Sequence, residues 1–184
     1  MARQVNWFLN GWEYADTCGR SGKKRRVMVY KGAYYSFGLT ARGLALLKTG
    51  YLVSTLALFA AFWIYSTDQT RSGAAFYSGV PCMLAIIPFI YLGMGVFCLT
   101  IAKSDMTYRS FYASVKRIKY SAIISVALVG VSVLGRVVYI VIHSVEELRG
   151  DIAGLAPGVF CVAVLGALLF MHRRFPVGVA GKKS

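Results

Sequence analysis

Apolar residues in this chain gather in long blocks rather than recurring at a core-facing period. Four blocks stand out: Leu44 to Ser66, Ala74 to Ala102, Tyr120 to Ser144 and Ile152 to Met171. Each reaches the roughly 20 residues a helix needs to cross a hydrocarbon layer about 30 Å thick. In lipid every backbone N–H and C=O must bond within its own segment, so such isolated spans are helical. The pattern predicts an all-α integral membrane protein with four transmembrane helices. A juxtamembrane region (1–43), a transmembrane domain (44–172) and a tail (173–184) divide the chain.

Shorter patterns flank the spans. Val5, Phe8, Leu9 and Trp12 recur at helical spacing, which predicts a short amphipathic helix with Trp7 and Trp12 at headgroup depth. Between Gly19 and Gly38, a turn-rich CGRSG precedes RVMVYKGAYYSF, dense in β-branched and aromatic residues, and a small β-hairpin is expected there. A lone hairpin is marginal in water, so it needs lipid or another surface to hold it. Tyr108, Phe111, Tyr112 and Val115 repeat at i, i+3, i+4, i+7 and predict an amphipathic helix leading into the third span. Ser104 and Thr107 are its candidate N-caps.

Composition agrees with the blocks. Of 184 residues, 57% are hydrophobic and 15% charged, where a soluble domain carries roughly a quarter charged residues. The net charge of +14 is unevenly placed. Basic residues crowd the N-terminal region, including Lys23, Lys24, Arg25 and Arg26. They recur around the second loop, at Lys103, Arg109, Lys116, Arg117 and Lys119, and in the tail, at Arg173, Arg174, Lys182 and Lys183. The other two connections carry only Arg71 and Arg149, beside Asp68, Glu146, Glu147 and Asp151. Short loops rich in Lys and Arg stay on the cytoplasmic side, so both termini are expected there. The polar, basic first 40 residues are expected to hold no cleavable signal.

The KKRR run at 23–26, with Lys116, Arg117 and Lys119, is read as a surface for anionic headgroups or a partner, at about 1 kcal/mol per basic residue. A nucleic-acid role is not expected, since no soluble binding domain accompanies the run. The GKKS tail lacks a dilysine retrieval signal and no N-x-S/T sequon occurs, which favours a bacterial cytoplasmic membrane.

Within the spans, Pro81 and Pro88 each remove a backbone hydrogen bond, and together they predict a kinked or partly opened second helix. Gly154-Leu155-Ala156-Pro157-Gly158, with Gly166 two turns on, predicts a small-residue stripe for helix packing. Arg136 interrupts the third span about two turns from its outer end. A cation at mid-span costs about 2.5–3.5 kcal/mol on the insertion scale, less where the side chain snorkels. Three roles are open to it: a structural cation paired or snorkelled at the outer surface, a contact with a partner subunit, or an anion site in a cavity. On any of them, Arg136→Leu is expected to leave insertion intact and to weaken assembly or activity.

Cys18, Cys82, Cys98 and Cys161 form no C-x-x-C pair or zinc-like spacing, and no metal or other cofactor is expected. His143 and His172 end spans on opposite sides, too far apart for a shared haem. Motifs for zinc hydrolysis, nucleotide binding and serine hydrolysis are absent, as are acidic residues within the expected spans, so no enzyme is expected. A weak repeat, K-x-x-x-[LI]-[VI]-S-[TV] at Lys48 and Lys119, leaves room for two paralogous helix pairs.

These features together describe a non-catalytic multi-pass subunit or accessory protein, partnered by the bilayer and by another membrane protein or itself. The alternative is a small homo-oligomeric carrier or channel for an anionic small molecule. A lipid-surface sensor comes third.

Overall fold

All four apolar blocks fold into long helices whose bounds differ from the blocks by a few residues to about three turns. A computed structural model of the chain describes residues 12–18, 24–30, 32–68, 70–143, 148–175 and 177–179. Helix α1 runs Ala41–Ser66, the single turn α2 Arg71–Ala74 and α3 Phe76–Ile101. Next come α4, Tyr108–Phe111, a π-helical turn, Tyr112–Lys116, and α5, Arg117–His143, which form one unbroken rod. Helix α6 runs Leu148–Arg174. Among the described residues, four helices are long and apolar enough to cross a membrane. At about 1.5 Å per residue, a 26-residue helix is close to 39 Å long, ample for a tilted span.

Local chemistry sets the ends. Thr40 caps α1 by accepting from the Gly43 amide (3.3 Å), so the first helix begins one turn earlier than its apolar block. Of the two candidate caps in the second loop, Thr107 takes the role, its hydroxyl accepting from the Ser110 amide. The amphipathic stretch Tyr108 to Val115 leads directly into the third span, as its periodicity predicts, and forms the first turns of one rod.

Three further expectations change. The second helix is not opened by its prolines: α3 is helical through both Pro81 and Pro88. The fourth helix starts four residues earlier than its apolar block, which brings Asp151 into its first turn, where a carboxylate favours the helix dipole. A hairpin is present, but its strands are β1, Trp12–Cys18, and β2, Lys24–Tyr30, antiparallel with Trp12 opposite Tyr30 and Cys18 opposite Lys24. The CGRSG segment thus links two strands instead of preceding a hairpin, because Trp12–Cys18 supplies a better β-forming partner than the Gly32-broken segment after it. The expected amphipathic helix falls mostly on 1–11, with Trp7, and Lys23 also lies outside the described residues. Its last member, Trp12, opens β1 instead.

The core lies along the bundle axis. Leu58 and Phe62 of α1 meet Phe89 and Leu92 of α3, Val129 of α5, and Cys161 and Leu165 of α6, all buried. Phe62 stacks on Phe89 at 4.2 Å between ring centroids. Large apolar side chains such as Trp63, Ile90, Leu134 and Phe170 point outward, as lipid-facing positions should. The most extensive seam between helices joins α3 and α5. There a Cβ on Gly95 would lie 2.9 Å from Ile118 Cγ1, and one on Gly135 would lie 2.9 Å from the Tyr77 carbonyl oxygen. That carbonyl has no helical donor, since its partner would be the missing N–H of Pro81.

At the basic end of the bundle three segments assemble a small base. Strand β3, Tyr35–Ser36, pairs antiparallel with β4, Gly178–Val179, and exchanges two 2.8 Å hydrogen bonds with Met106 on its other side. Tyr35 stacks on Phe111 at 4.6 Å. The Tyr30 hydroxyl accepts from the Tyr108 amide (3.1 Å) and donates to the Ala33 carbonyl (3.0 Å), fixing the root of the hairpin. Lys48 Nζ donates to the Thr100 and Ala102 carbonyls and so caps the C-terminus of α3. Lys119, its counterpart in the proposed repeat, is exposed and makes no such bond among the described residues, so the two lysines play different parts.

Candidate functional site

Arg136 is only 2% exposed. It points into the bundle at the end opposite the base, where α1, α6 and the α1–α3 connection each turn a polar group toward it. Its Nη1 pairs with Asp68 and donates to the Gly154 carbonyl at 3.2 Å. Nη2 donates to the Tyr65 carbonyl at 2.9 Å, and the guanidinium carbon lies 4.0 Å from the centre of the Tyr65 ring. Among the described residues, Nε alone of its nitrogens finds no acceptor.

The Tyr65 carbonyl lies in the last turn of α1, one of the helix's orphan acceptors. Trp63 and Ile64 give theirs to the Thr67 amide and hydroxyl, and Tyr65 gives its own to Arg136. The arginine therefore acts as a C-cap in space, a cation at the negative end of a helix dipole.

Both carboxylates are held from the α1–α3 connection. Asp68 accepts from the Thr70 amide (3.3 Å) and hydroxyl (3.0 Å), a local turn of the kind Asp favours. Asp151, 3% exposed, accepts from the Ser72 amide (3.3 Å) and hydroxyl. The Thr70 and Ser72 hydroxyls are 3.2 Å apart, which joins the two halves. Below the guanidinium, the Tyr65 hydroxyl bonds Ser132 Oγ at 2.9 Å, and Ser132 Oγ donates to the Ser78 carbonyl at 2.8 Å. One network thus ties α1, α2, α3, α5 and α6.

The outward snorkel open to Arg136 is not what it does. It turns inward because Asp68, 68 residues earlier, is carried back over the bundle by the turn after α1. Two of the stripe glycines make room for this. A Cβ on Gly154 would collide with Asp68 Oδ2, and one on Gly158 would lie 2.6 Å from the Tyr65 ring. Gly166 faces open space instead. Pro81 lies half-buried and Pro88 buried in α3. Lys116 and Arg117, partly buried, and Lys119, exposed, sit at the other end of α5; Lys24, Arg25 and Arg26 are in β2.

Sequence reasoning missed the serines. Ser114, Ser121, Ser125 and Ser132 are all buried along one side of the third rod, and their spacing of seven, four and seven was a legible helical stripe. It also missed Ser72, whose short turn carries no periodic signal.

Asp68 and the Gly154 and Tyr65 carbonyls occupy both terminal nitrogens of the guanidinium. The adjoining groove of about 590 Å³, lined by Asp68, Phe76, Val80 and Met83, presents a carboxylate rather than a cation. Among the described residues, no three His, Cys, Asp or Glu side chains are grouped to hold a metal ion. No protein-family model, no curated protein and no solved structure matches this chain. Its function must be argued from its own geometry.

Proposed function

We propose that the chain is a non-catalytic multi-pass subunit or accessory protein of a bacterial cytoplasmic-membrane assembly. The carrying observation is the use made of the cation in the third span: Arg136 pairs with Asp68 and ties α1, α5 and α6 together, within a network that also reaches α2 and α3. A carrier for anions would need that cation open to its cargo in at least one state. The opposite end offers what a subunit needs. Its base of Tyr35, Met106 and Val179 holds the root of a β1–β2 hairpin that a two-stranded sheet alone would barely stabilise. A partner surface would complete that hairpin.

In this reading both termini are cytoplasmic. Four spans return the chain to its starting side, and the basic segments choose that side by the positive-inside rule. Cysteines placed at Lys182 and Arg149 are expected to label from the cytoplasm and the periplasm respectively; the reverse pattern would overturn the orientation.

The deciding experiment is mild-detergent extraction by a tag on the tail, followed by native mass spectrometry. A different protein at fixed stoichiometry supports the subunit. A pure homo-oligomer that conducts anions in liposomes would replace it with the carrier.

A further inference from the structure

At the basic end of the α3–α5 seam a groove of about 460 Å³ opens toward the lipid. It is graded from charged to apolar. Lys116 and Arg117 line it where the π turn passes into α5, and Tyr91, Tyr112 and Tyr120 form its sides. Ile87 and Ile124 line it about one turn further into the bundle's apolar length. Lys116 lies over the Tyr112 ring (5.3 Å) and Arg117 over the Tyr91 ring (5.7 Å), so the rings hold both cations at the mouth. Neither cation is paired with a carboxylate among the described residues. The π turn is itself informative, since such turns inside α-helices recur at functional sites.

Depth favours one kind of occupant. Arg117 and Arg136 are separated by about 28 Å of helix, close to the thickness of a hydrocarbon layer. With Arg136 and its carboxylates at one boundary, Lys116 and Arg117 fall at the other, at headgroup level. Tyrosines are enriched at that depth, and the isoleucines lie where acyl chains begin.

The geometry points to a binding site for one anionic phospholipid of the leaflet at the basic end. Its phosphate lies between Lys116 and Arg117, its glycerol region lies against the tyrosines, and an acyl chain runs over Ile87 and Ile124. A free phosphate would satisfy the cations but leave the apolar length of the groove unused. The site is independent of the subunit reading and needs only that the chain cross a membrane.

The test is native mass spectrometry of the purified full chain with phosphatidylglycerol or phosphatidylcholine of identical acyl chains. One phosphatidylglycerol is expected to stay bound under activation that strips phosphatidylcholine. K116Q/R117Q is expected to weaken that retention by roughly tenfold or more, whereas R173Q/R174Q leaves it unchanged. Ile124→Trp, which keeps both charges and fills the apolar end, is expected to weaken it as well. Equal retention of both lipids, or no effect of K116Q/R117Q in a folded protein, would overturn the site. So would glycerophosphate competing as well as the intact lipid, because the apolar end would then contribute nothing.

Discussion

Arg136 shows how much one residue's meaning depends on its neighbours. In the sequence it is a cation in an apolar run; in the fold it caps α1, pairs with Asp68 and bonds α6. Removing one member of a buried pair strands the other, at about 3–5 kcal/mol. Arg136→Leu is therefore expected to destabilise the folded bundle by about that amount, read as a lower unfolding temperature in micelles. An R136M/D68L double variant is expected to recover most of the loss, since two apolar groups leave no charge uncompensated. A double variant as unstable as the single would show that the cation matters for more than its pair. The glycine stripe divides on the same physics. Gly154→Ala would drive a methyl group into the Asp68 carboxylate and is expected to approach the Arg136→Leu loss, while Gly166→Ala, facing open space, is expected to leave the unfolding temperature unchanged. Equal effects from the two would refute this division. The Gly154-x-x-x-Gly158 pattern was legible, but the reason for Gly154 was not: its neighbours are Asp68 and Arg136, which no local pattern brings there.

At the scale of elements, α3 and α5 fit by pairing absences. Pro81 frees the Tyr77 carbonyl, and Gly135, lacking a side chain, lets α5 approach it closely. A Cα–H···O contact across such a seam contributes perhaps 0.5–1 kcal/mol, and close packing adds dispersion. Gly135→Val is expected to part the helices there, and cysteines introduced at Tyr77 and Leu134 would then cross-link more slowly. Pro81→Ala is expected to be tolerated, because an N–H would return to the Tyr77 carbonyl. An unstable Pro81→Ala would mean that the proline holds the helix's course and not merely its hydrogen-bond pattern. Both prolines were visible in the sequence, and α3 stays helical through them: a missing helical bond need not open a helix whose neighbour packs against the gap. The Thr107 cap was legible, since it acts through an amide three residues away; Thr40 acts in the same way, but the apolar block starting at Leu44 hid it.

For the molecule as a whole, the two ends differ in kind: one is locked by a charge network, the other is a base built from three segments far apart in the chain. Ending the chain at Phe175 removes β4 and is expected to speed amide exchange at 34 and 36, because β3 would then be paired only through Tyr35 and Met106. Unchanged exchange there would make β4 a passive neighbour. By itself the sequence determined the class of the protein, four apolar helices and their approximate extents, together with the crowding of basic residues in three segments. Those properties follow from length, composition and the bilayer's demand that each span satisfy its own backbone, all of which are local. Only the tertiary structure decided that Asp68, Ser72, Asp151 and Gly154 gather around Arg136, and that Tyr35 meets Met106 and Val179. Each of those is a choice between partners with nearly equal local credentials, and the choice is made by which surfaces come together when the helices pack.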